Sequence, residues 1–212
     1  MTGYPRYSQT EERLNVSLHA LGFLLSVAAL VALLLRASAL DSMLVLVSFG
    51  LFGVSLVLLY AISTLYHSTK NPRLRSRLRV ADHASIYVLI AGTYSPFALI
   101  VMQGSIGWTI FAVSWSMALA GIVLKLFYTG RFSLLSTLLY VFMGWIILFA
   151  IQPLLASFGG PGLSWLIAGG VSYTLGAVLY SIRRLPLNHA IFHLFVLLGS
   201  CCHFVAGYFY VA

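Results

Sequence analysis

Residues 43–66, MLVLVSFGLFGVSLVLLYAISTLY, decide the fold, because this stretch of 24 residues contains no charged side chain. A helix needs about 20 apolar residues to cross a hydrocarbon core. Isolated strands would leave backbone polar groups unsatisfied in lipid, so such stretches must span as helices. The sequence therefore predicts an all-α membrane protein, a bundle of seven transmembrane helices at roughly 17–37, 43–66, 82–102, 107–128, 133–152, 164–182 and 188–211.

The composition supports the same class of fold. The 212 residues are 61% hydrophobic and only 8% charged, whereas a soluble domain is typically about 25% charged. These few polar residues cannot cover a water-facing surface, so lipid must surround the helices. We expect a short cytoplasmic N-terminal segment at 1–16 and a single transmembrane domain at 17–212.

Basic residues are concentrated in alternate connections, which predicts the orientation of the bundle. One side holds nearly all of them and the other holds only Arg36. The rule that basic loops stay inside places the N-terminus in the cytoplasm and the C-terminus outside. The net charge of +8 then follows from topology, and no motif supports a nucleic-acid interface. We expect anionic headgroups to contact the 70–79 connection. The predicted cytoplasmic basic residues are Arg6, Arg13, Lys70, Arg73, Arg75, Arg77, Arg79, Lys125, Arg131, Arg183 and Arg184.

Pro96 interrupts the third predicted span, after Gly92-Thr93-Tyr94-Ser95. A proline inside a membrane helix removes a backbone hydrogen bond and predicts a kink or a widened turn. Helix packing or a bend that opens a cavity would each account for it.

Two histidines at the start of the last span indicate a metal site. His189 and His193 form an H-x-x-x-H pair, whose rings lie on one face of a helix, one turn apart. Two imidazoles at this spacing can bind one metal ion. Ala190 stands where the metallopeptidase motif has a glutamate. A packed or hydrogen-bonded pair of histidines is the alternative.

The predicted topology brings further polar residues to the same depth. His67 closes the second helix and Asp82 opens the third, at the end where the last helix begins. Three neutral imidazoles with an open fourth position describe a catalytic zinc site. A nearby carboxylate could accept a proton from water at the metal or orient that water. We therefore predict a metal site at His67, His189 and His193, with Asp82 beside it.

Two more polar residues each allow two interpretations. Ser63 lies one turn before His67, where it could bond the water or an oxyanion, or else its own helix backbone. His203 follows His193 by ten residues, about 15 Å along a helix, which is too far to share the metal. It would line a cavity or be hydrogen-bonded to a neighbour.

A polar stripe enters the first helix. Glu12, Asn15 and His19 are spaced three and four residues apart, so they lie on one helical face. The stripe is either an N-terminal cap with an interfacial face or a second polar wall lining the cavity of the metal site.

Taken in order, these residues resemble the three motifs of the haemolysin III and progestin/adiponectin receptor family. The strings STLYHS (63–68), DHASIYVLIAGTYSPF (82–97) and FHLFVLLGSCCHF (192–204) are similar to the bacterial haemolysin III branch. The resemblance covers essentially the whole chain. It implies a multi-pass protein of a bacterial inner membrane, with zinc near the cytoplasmic leaflet. By this resemblance His67, His189 and His193 are ligands, and Asp82 and Ser63 surround the water on zinc.

The resemblance implies two classes of function. The wider superfamily includes the alkaline ceramidases, which suggests zinc-dependent hydrolysis of a lipid amide. The alternative is a non-enzymatic regulator of membrane fluidity or energetic homeostasis, or a haemolysin-type membrane-disrupting protein, in which zinc is structural. A dedicated pore is disfavoured because no ring of polar residues crosses the full thickness. A transporter would need interrupted helices in two corresponding halves, and we expect an interruption only near Pro96.

Overall fold

The apolar stretches of the chain form helices in the computed structural model, which describes residues 7–129, 132–182 and 184–211. Within these ranges there is no strand, and seven spans are long and apolar enough to cross a membrane. The predicted all-α bundle is thereby confirmed. The helices are α1 (Gln9–Ser38), α2 (Met43–Ser68), α3 (Pro72–Pro96), α4 (Gly104–Tyr128), α5 (Ser133–Gly144), α6 (Ile151–Ser157), α7 (Gly160–Ser181) and α8 (Asn188–Tyr210).

The first helix begins earlier than its apolar run. Ser8 caps α1, because its Oγ accepts a hydrogen bond from the backbone N of Glu11 at 3.1 Å. Glu11 and Glu12 follow in the first turn, where the helix dipole favours negative charge. From Gln9 onward, the predicted N-terminal segment 1–16 is therefore part of the first helix, while its residues 1–6 lie outside the described residues.

The third span is widened at the predicted place. Directly after Pro96, residues Phe97–Met102 form a π-helix that continues α3. Proline cannot donate the backbone hydrogen bond of its turn, and the wider turn accommodates its ring. The combined span Pro72–Met102 has a larger buried share than any other span of the bundle. It is therefore the central helix, and its first turns contain most of the basic residues predicted in the 70–79 connection.

The fifth span is also interrupted, which the sequence analysis did not predict. A 3₁₀ turn at Ile146–Ala150 separates α5 from α6. Pro153 explains the break, since it cannot donate to the carbonyl of Phe149 four residues earlier. Just before the 3₁₀ turn, the Gly144 carbonyl at the end of α5 accepts a hydrogen bond from the Tyr94 hydroxyl of α3 at 2.7 Å. The interruption thus joins the fifth span to the central helix.

Neighbouring helices pack side by side in the bundle. The main contacts are α1 with α2, α2 with α3, α3 with α4, and α7 with α8, and α1 also packs on α8. α1 and α8 begin and α2 ends at one end of the bundle, which we call the histidine end because it holds His67 and His189. Among the described basic residues, only Arg36 lies at the other end. Arg6, Arg131 and Arg183 lie outside the described residues.

Candidate metal centre

Three histidines from two helices converge at the histidine end. Nε2 of His67, at the end of α2, lies 3.3 Å from Nε2 of His189 and 3.2 Å from Nε2 of His193 on α8. All three side chains are buried, and their facing nitrogens lie within 4.8 Å of one another. The structure therefore brings together the three residues that were predicted as metal ligands.

The spacing of the three nitrogens fits a tetrahedral metal ion. Zinc binds histidine nitrogen at about 2.0–2.1 Å, so two ligands on a tetrahedron lie roughly 3.3–3.4 Å apart. Imidazole lone pairs that face one another in a buried site repel unless a cation or a shared proton lies between them. The three nitrogens can therefore hold a metal ion.

A carboxylate holds the far side of the His67 ring. Oε2 of Glu12 lies 2.8 Å from Nδ1 of His67. An ionised carboxylate only accepts, so Nδ1 donates and Nε2 keeps its lone pair for a metal. Arg75 contacts the other oxygen of Glu12 and lies over the ring of Tyr66, 5.1 Å from its centroid. Partners of this kind orient metal-binding histidines in many proteins.

The start of α1 covers the centre. Oε1 of Glu11 accepts a hydrogen bond from the backbone N of His189 at 3.2 Å and so caps the first turn of α8. The ring of Tyr7 stacks on His189, with centroids 4.6 Å apart. Burial raises the pKa of the Tyr7 hydroxyl, which keeps it protonated. Neither contact was predicted, because the sequence carries no periodic signal linking residues 7 and 11 to a helix so distant in the chain.

The polar stripe of α1 forms a wall of the centre. Asn15 Nδ2 donates to Oε2 of Glu12 at 3.4 Å and lies 3.5 Å from Nδ1 of His67. The His19 ring meets the His193 ring edge-on, with centroids 3.9 Å apart. The stripe thus packs against the histidines, and only one of its three residues reaches the cavity. His19 lines the cavity described below, whereas Glu12 and Asn15 lie behind His67 and do not line it.

A cavity of about 710 Å³ opens beside the histidines. At the histidine end its wall contains His189, His193, Asp82 and Ser63, while His67 lies behind that wall. The cavity extends between α3, α5, α7 and α8 toward His203. Its deeper wall is mostly apolar and includes Leu89, Phe97, Ile147, Leu154, Leu163 and Leu166.

Asp82 lies beside the three histidines rather than among them. Its carboxylate is close enough to His67 to interact electrostatically, and its Oδ2 lies 3.4 Å from Nδ1 of His83. Ser63 is buried next to it. The His83 ring donates from Nδ1 to the carbonyl of Arg79 at 2.9 Å.

His203 lies deep in the bundle, and both predicted interpretations apply to it. Its Nδ1 donates to the carbonyl of Gly199 at 2.8 Å, and the residue also lines the cavity. The ring stacks on Tyr173, with centroids 5.2 Å apart. Gly169 of α7 makes this packing possible, because a Cβ at that position would overlap the imidazole.

Most of the chain matches one protein family. The family described as Haemolysin-III related matches residues 7–204. The chain belongs to the haemolysin III family. It is 46% identical over 201 residues to Hemolysin-3 of Bacillus cereus, covering 95% of this chain and 92% of that protein. It is 46% identical over 200 residues to a Hemolysin-3 homolog of Bacillus subtilis (strain 168), covering 94% of each.

A more distant relative extends the comparison to animals. Monocyte to macrophage differentiation factor of Homo sapiens is 29% identical over 168 residues, which cover 76% of this chain and 69% of that protein. The resemblance deduced from the motifs is confirmed, and this haemolysin III family protein is a multi-pass membrane protein.

One inward-facing cation of this haemolysin III family protein was not predicted from the sequence. Lys125, assigned above only to topology, is buried near the end of α4 and lines the cavity. Its Nζ donates to Oγ of Ser136 at 2.5 Å. A sequence signal was present, because an ionisable side chain inside a membrane span is a functional candidate by default.

Proposed function

We propose that the three histidines bind zinc and that the protein hydrolyses an amide bond of a membrane lipid. One observation carries the proposal: three imidazole nitrogens converge beside Asp82, at the polar end of a mostly apolar cavity. Among the described residues no fourth protein ligand joins them, and an open position is typical of catalytic zinc sites. Iron, cobalt and nickel also bind imidazole, and the family resemblance favours zinc.

The residues of the chain would divide the chemistry between them. A bound zinc ion supplies a Lewis acid that polarises a carbonyl group and makes water more acidic. The Asp82 carboxylate would accept the proton of the attacking water and return it to the leaving amine. The Ser63 hydroxyl, next to Asp82, would hold the water or the developing oxyanion through a hydrogen bond. Glu12 would keep His67 in the tautomer that can bind the metal.

The cavity is suited to a lipid substrate. Its polar groups gather at the histidine end, and its deeper wall consists mainly of aliphatic and aromatic side chains. Its volume of about 710 Å³ falls within the range of small-molecule sites. A lipid with its amide at the histidines would extend its hydrocarbon chain toward His203. The apolar wall of the cavity would then shield that hydrocarbon from water.

A structural metal is the second candidate, and it too is based on an observation. His67 belongs to α2 and the other two histidines belong to α8, so a metal ion would tie two helices together without any reaction. Such a protein would act in membrane homeostasis or as a membrane-disrupting haemolysin. The two candidates predict different roles for Asp82, because only a hydrolase would need its carboxylate for turnover.

Metal analysis combined with lipid-amide turnover separates the candidates. We expect about one zinc per chain in detergent-purified protein and turnover within a panel of ceramides and other N-acyl lipids. Asp82→Asn should retain zinc and lose turnover by at least about a hundredfold, whereas His193→Ala should lose both. Zinc without turnover across the panel would favour the structural metal. Wild-type protein that binds no metal would contradict both candidates.

We also propose that the histidine end faces the cytoplasm of a bacterial inner membrane. The excess of described basic residues at that end supports this orientation. Alkaline phosphatase is active only outside the cytoplasm, so a fusion to the C-terminus should be active. An inactive fusion beside an active cytoplasmic reporter at the same position would reverse the orientation.

Anionic headgroups would contact the exposed face at the start of α3. Arg73 and Arg77 are exposed, whereas Arg75 and Arg79 are partly buried. Two cations at a membrane surface contribute about 1 kcal/mol each to the binding of anionic lipid. The Arg73→Gln, Arg77→Gln double variant should therefore retain less phosphatidylglycerol after purification, and unchanged retention would argue against this contact.

A further inference from the structure

Lys125 is a buried cation that points into the bundle. It lies in the last turns of α4, and only 4% of its surface is exposed. A lysine near the end of a membrane helix normally extends toward the headgroups. Here Nζ donates to Ser136 Oγ at 2.5 Å and lies 5.5 Å from the centroid of the Tyr140 ring. The ammonium group therefore contacts α5 inside the bundle.

None of the four acidic side chains, all of which the structure describes, pairs with this lysine. An ammonium group buried without an opposite charge is costly, so an anion bound beside it would lower that cost. Glu11 caps α8, Glu12 contacts His67 and Arg75, Asp82 contacts His83, and Asp41 lies in the turn at the opposite end of the bundle.

The cavity beside Lys125 has the shape of an amphiphile site. Lys125 and Arg79 both line it at the histidine end, and Tyr140 and His83 line it there as well. Beyond them the wall becomes apolar. A ligand that is anionic at one end and hydrocarbon along its length would match both parts.

We propose that Lys125, together with Arg79, binds the phosphate or carboxylate group of an anionic amphiphile whose hydrocarbon chain lies in the cavity. A lysine ammonium has three N–H donors, and Ser136 accepts from one of them. Phosphate and carboxylate oxygens both accept strong hydrogen bonds from a charged donor. The site requires neither a bound metal nor turnover, and so it goes beyond the proposed function.

The chain offers a direct probe, because Lys70 and Lys125 are its only lysines. Lys70 is exposed and serves as an internal reference. With isotope-labelled lysine, the NMR signals of the full-length protein in a neutral maltoside detergent report on both ammonium groups. We expect dodecyl phosphate and dodecanoate to shift the Lys125 signal, and uncharged dodecanol to leave it in place.

Variants measure the contribution of the charge to binding. Lys125→Met removes the ammonium and keeps much of the side-chain length, and we expect about a tenfold or greater loss of affinity for dodecyl phosphate. Lys125→Arg keeps the charge and should retain most of the affinity. Lys70→Met makes the same change at an exposed position at the same end and should bind as the wild type does.

The arms of the experiment identify the source of the anion. A Lys125 shift with dodecyl phosphate but not with inorganic phosphate supports a lipid ligand. A shift with inorganic phosphate at similar concentration supports an oxyanion site that takes a free anion. Equal affinity of wild-type protein and Lys125→Met for dodecyl phosphate would overturn the proposal, as would a Lys125 shift with dodecanol as large as that with dodecyl phosphate.

Discussion

The two ends of the cavity both contain histidines of α8, yet their surroundings differ. At the histidine end, His193 faces His67 and meets the ring of His19. Ten residues later, His203 donates to a carbonyl of its own helix and stacks on Tyr173. One histidine thus belongs to a cluster drawn from three helices, and the other is held by its own helix and by one aromatic ring.

This difference shows what makes a histidine a candidate ligand. Residue type, burial and helix are the same for both. A metal ion requires several lone pairs directed at one point, and only the histidine end supplies them. Three of the four carboxylates (Glu11, Glu12 and Asp82) and the inward-facing lysine also lie at that end. Chemistry is therefore expected at one depth, and the deeper cavity is expected to hold the hydrocarbon chain of the proposed lipid.

The strongest test of this contrast replaces one histidine at each end. His67→Ala removes one of three ligands, and metal affinity should fall by more than about a hundredfold, since loss of an outer partner alone costs up to that much. His203→Ala should leave the metal content unchanged because the ring takes no part in the cluster. Metal analysis after dialysis against a weak chelator gives the comparison. Equal metal loss in both variants would remove the distinction between the two ends.

A smaller effect is expected from the partner of His67. Glu12→Gln weakens the hydrogen-bond acceptor that orients the ring, and metal affinity should fall by about 10–100-fold. Glu11→Gln is the matched control, because Glu11 contacts the backbone of His189 and no imidazole nitrogen. Competition with a coloured zinc chelator measures both variants. If Glu11→Gln had the larger effect, capping of α8 would matter more than the orientation of His67.

Substitutions in the deep part of the cavity are expected to have the smallest effect on metal binding, but a measurable effect on stability. A Cβ at Gly169 would overlap the His203 ring, so Gly169→Ala should cost about 1–2 kcal/mol of stability through overpacking. Gly170→Ala is the control, because its Cβ would lie 3.5 Å from Trp145, an ordinary contact. Thermal unfolding in detergent measures both.

A double variant tests the cause of that loss. His203→Ala removes the ring that Gly169→Ala would strike, so the combined variant should lose less stability than the sum of the two single changes. Simple additivity would show that the two positions do not interact.

Prediction from sequence succeeded where the signal lies in one segment. Apolar length identified the spans, and spacing within a helix paired His189 with His193. Pro96 predicted the widened turn because a proline acts on its own helix. Pro153 acts in the same way, but its effect was overlooked within a long apolar stretch.

Prediction was weaker for contacts between distant segments. The contacts of Tyr7 with His189 and of Glu12 with His67 depend on how α1 packs against α2 and α8. No local sequence pattern encodes that packing. Lys125 illustrates the same limit, since its position in the sequence is equally compatible with a side chain extended to the headgroups and with one turned inward.

The sequence by itself determined the class of the protein, its seven spans and the depth at which its histidines and Asp82 lie, because hydrophobic length and the cost of polar groups in lipid act on each segment separately. Only the tertiary structure decided which polar atoms face each other. It placed three Nε2 atoms within one metal's reach, set Glu12 behind His67 and turned Lys125 into the cavity. These outcomes depend on the rotation and packing of each helix against its neighbours, and close packing determines them only when all the helices are assembled.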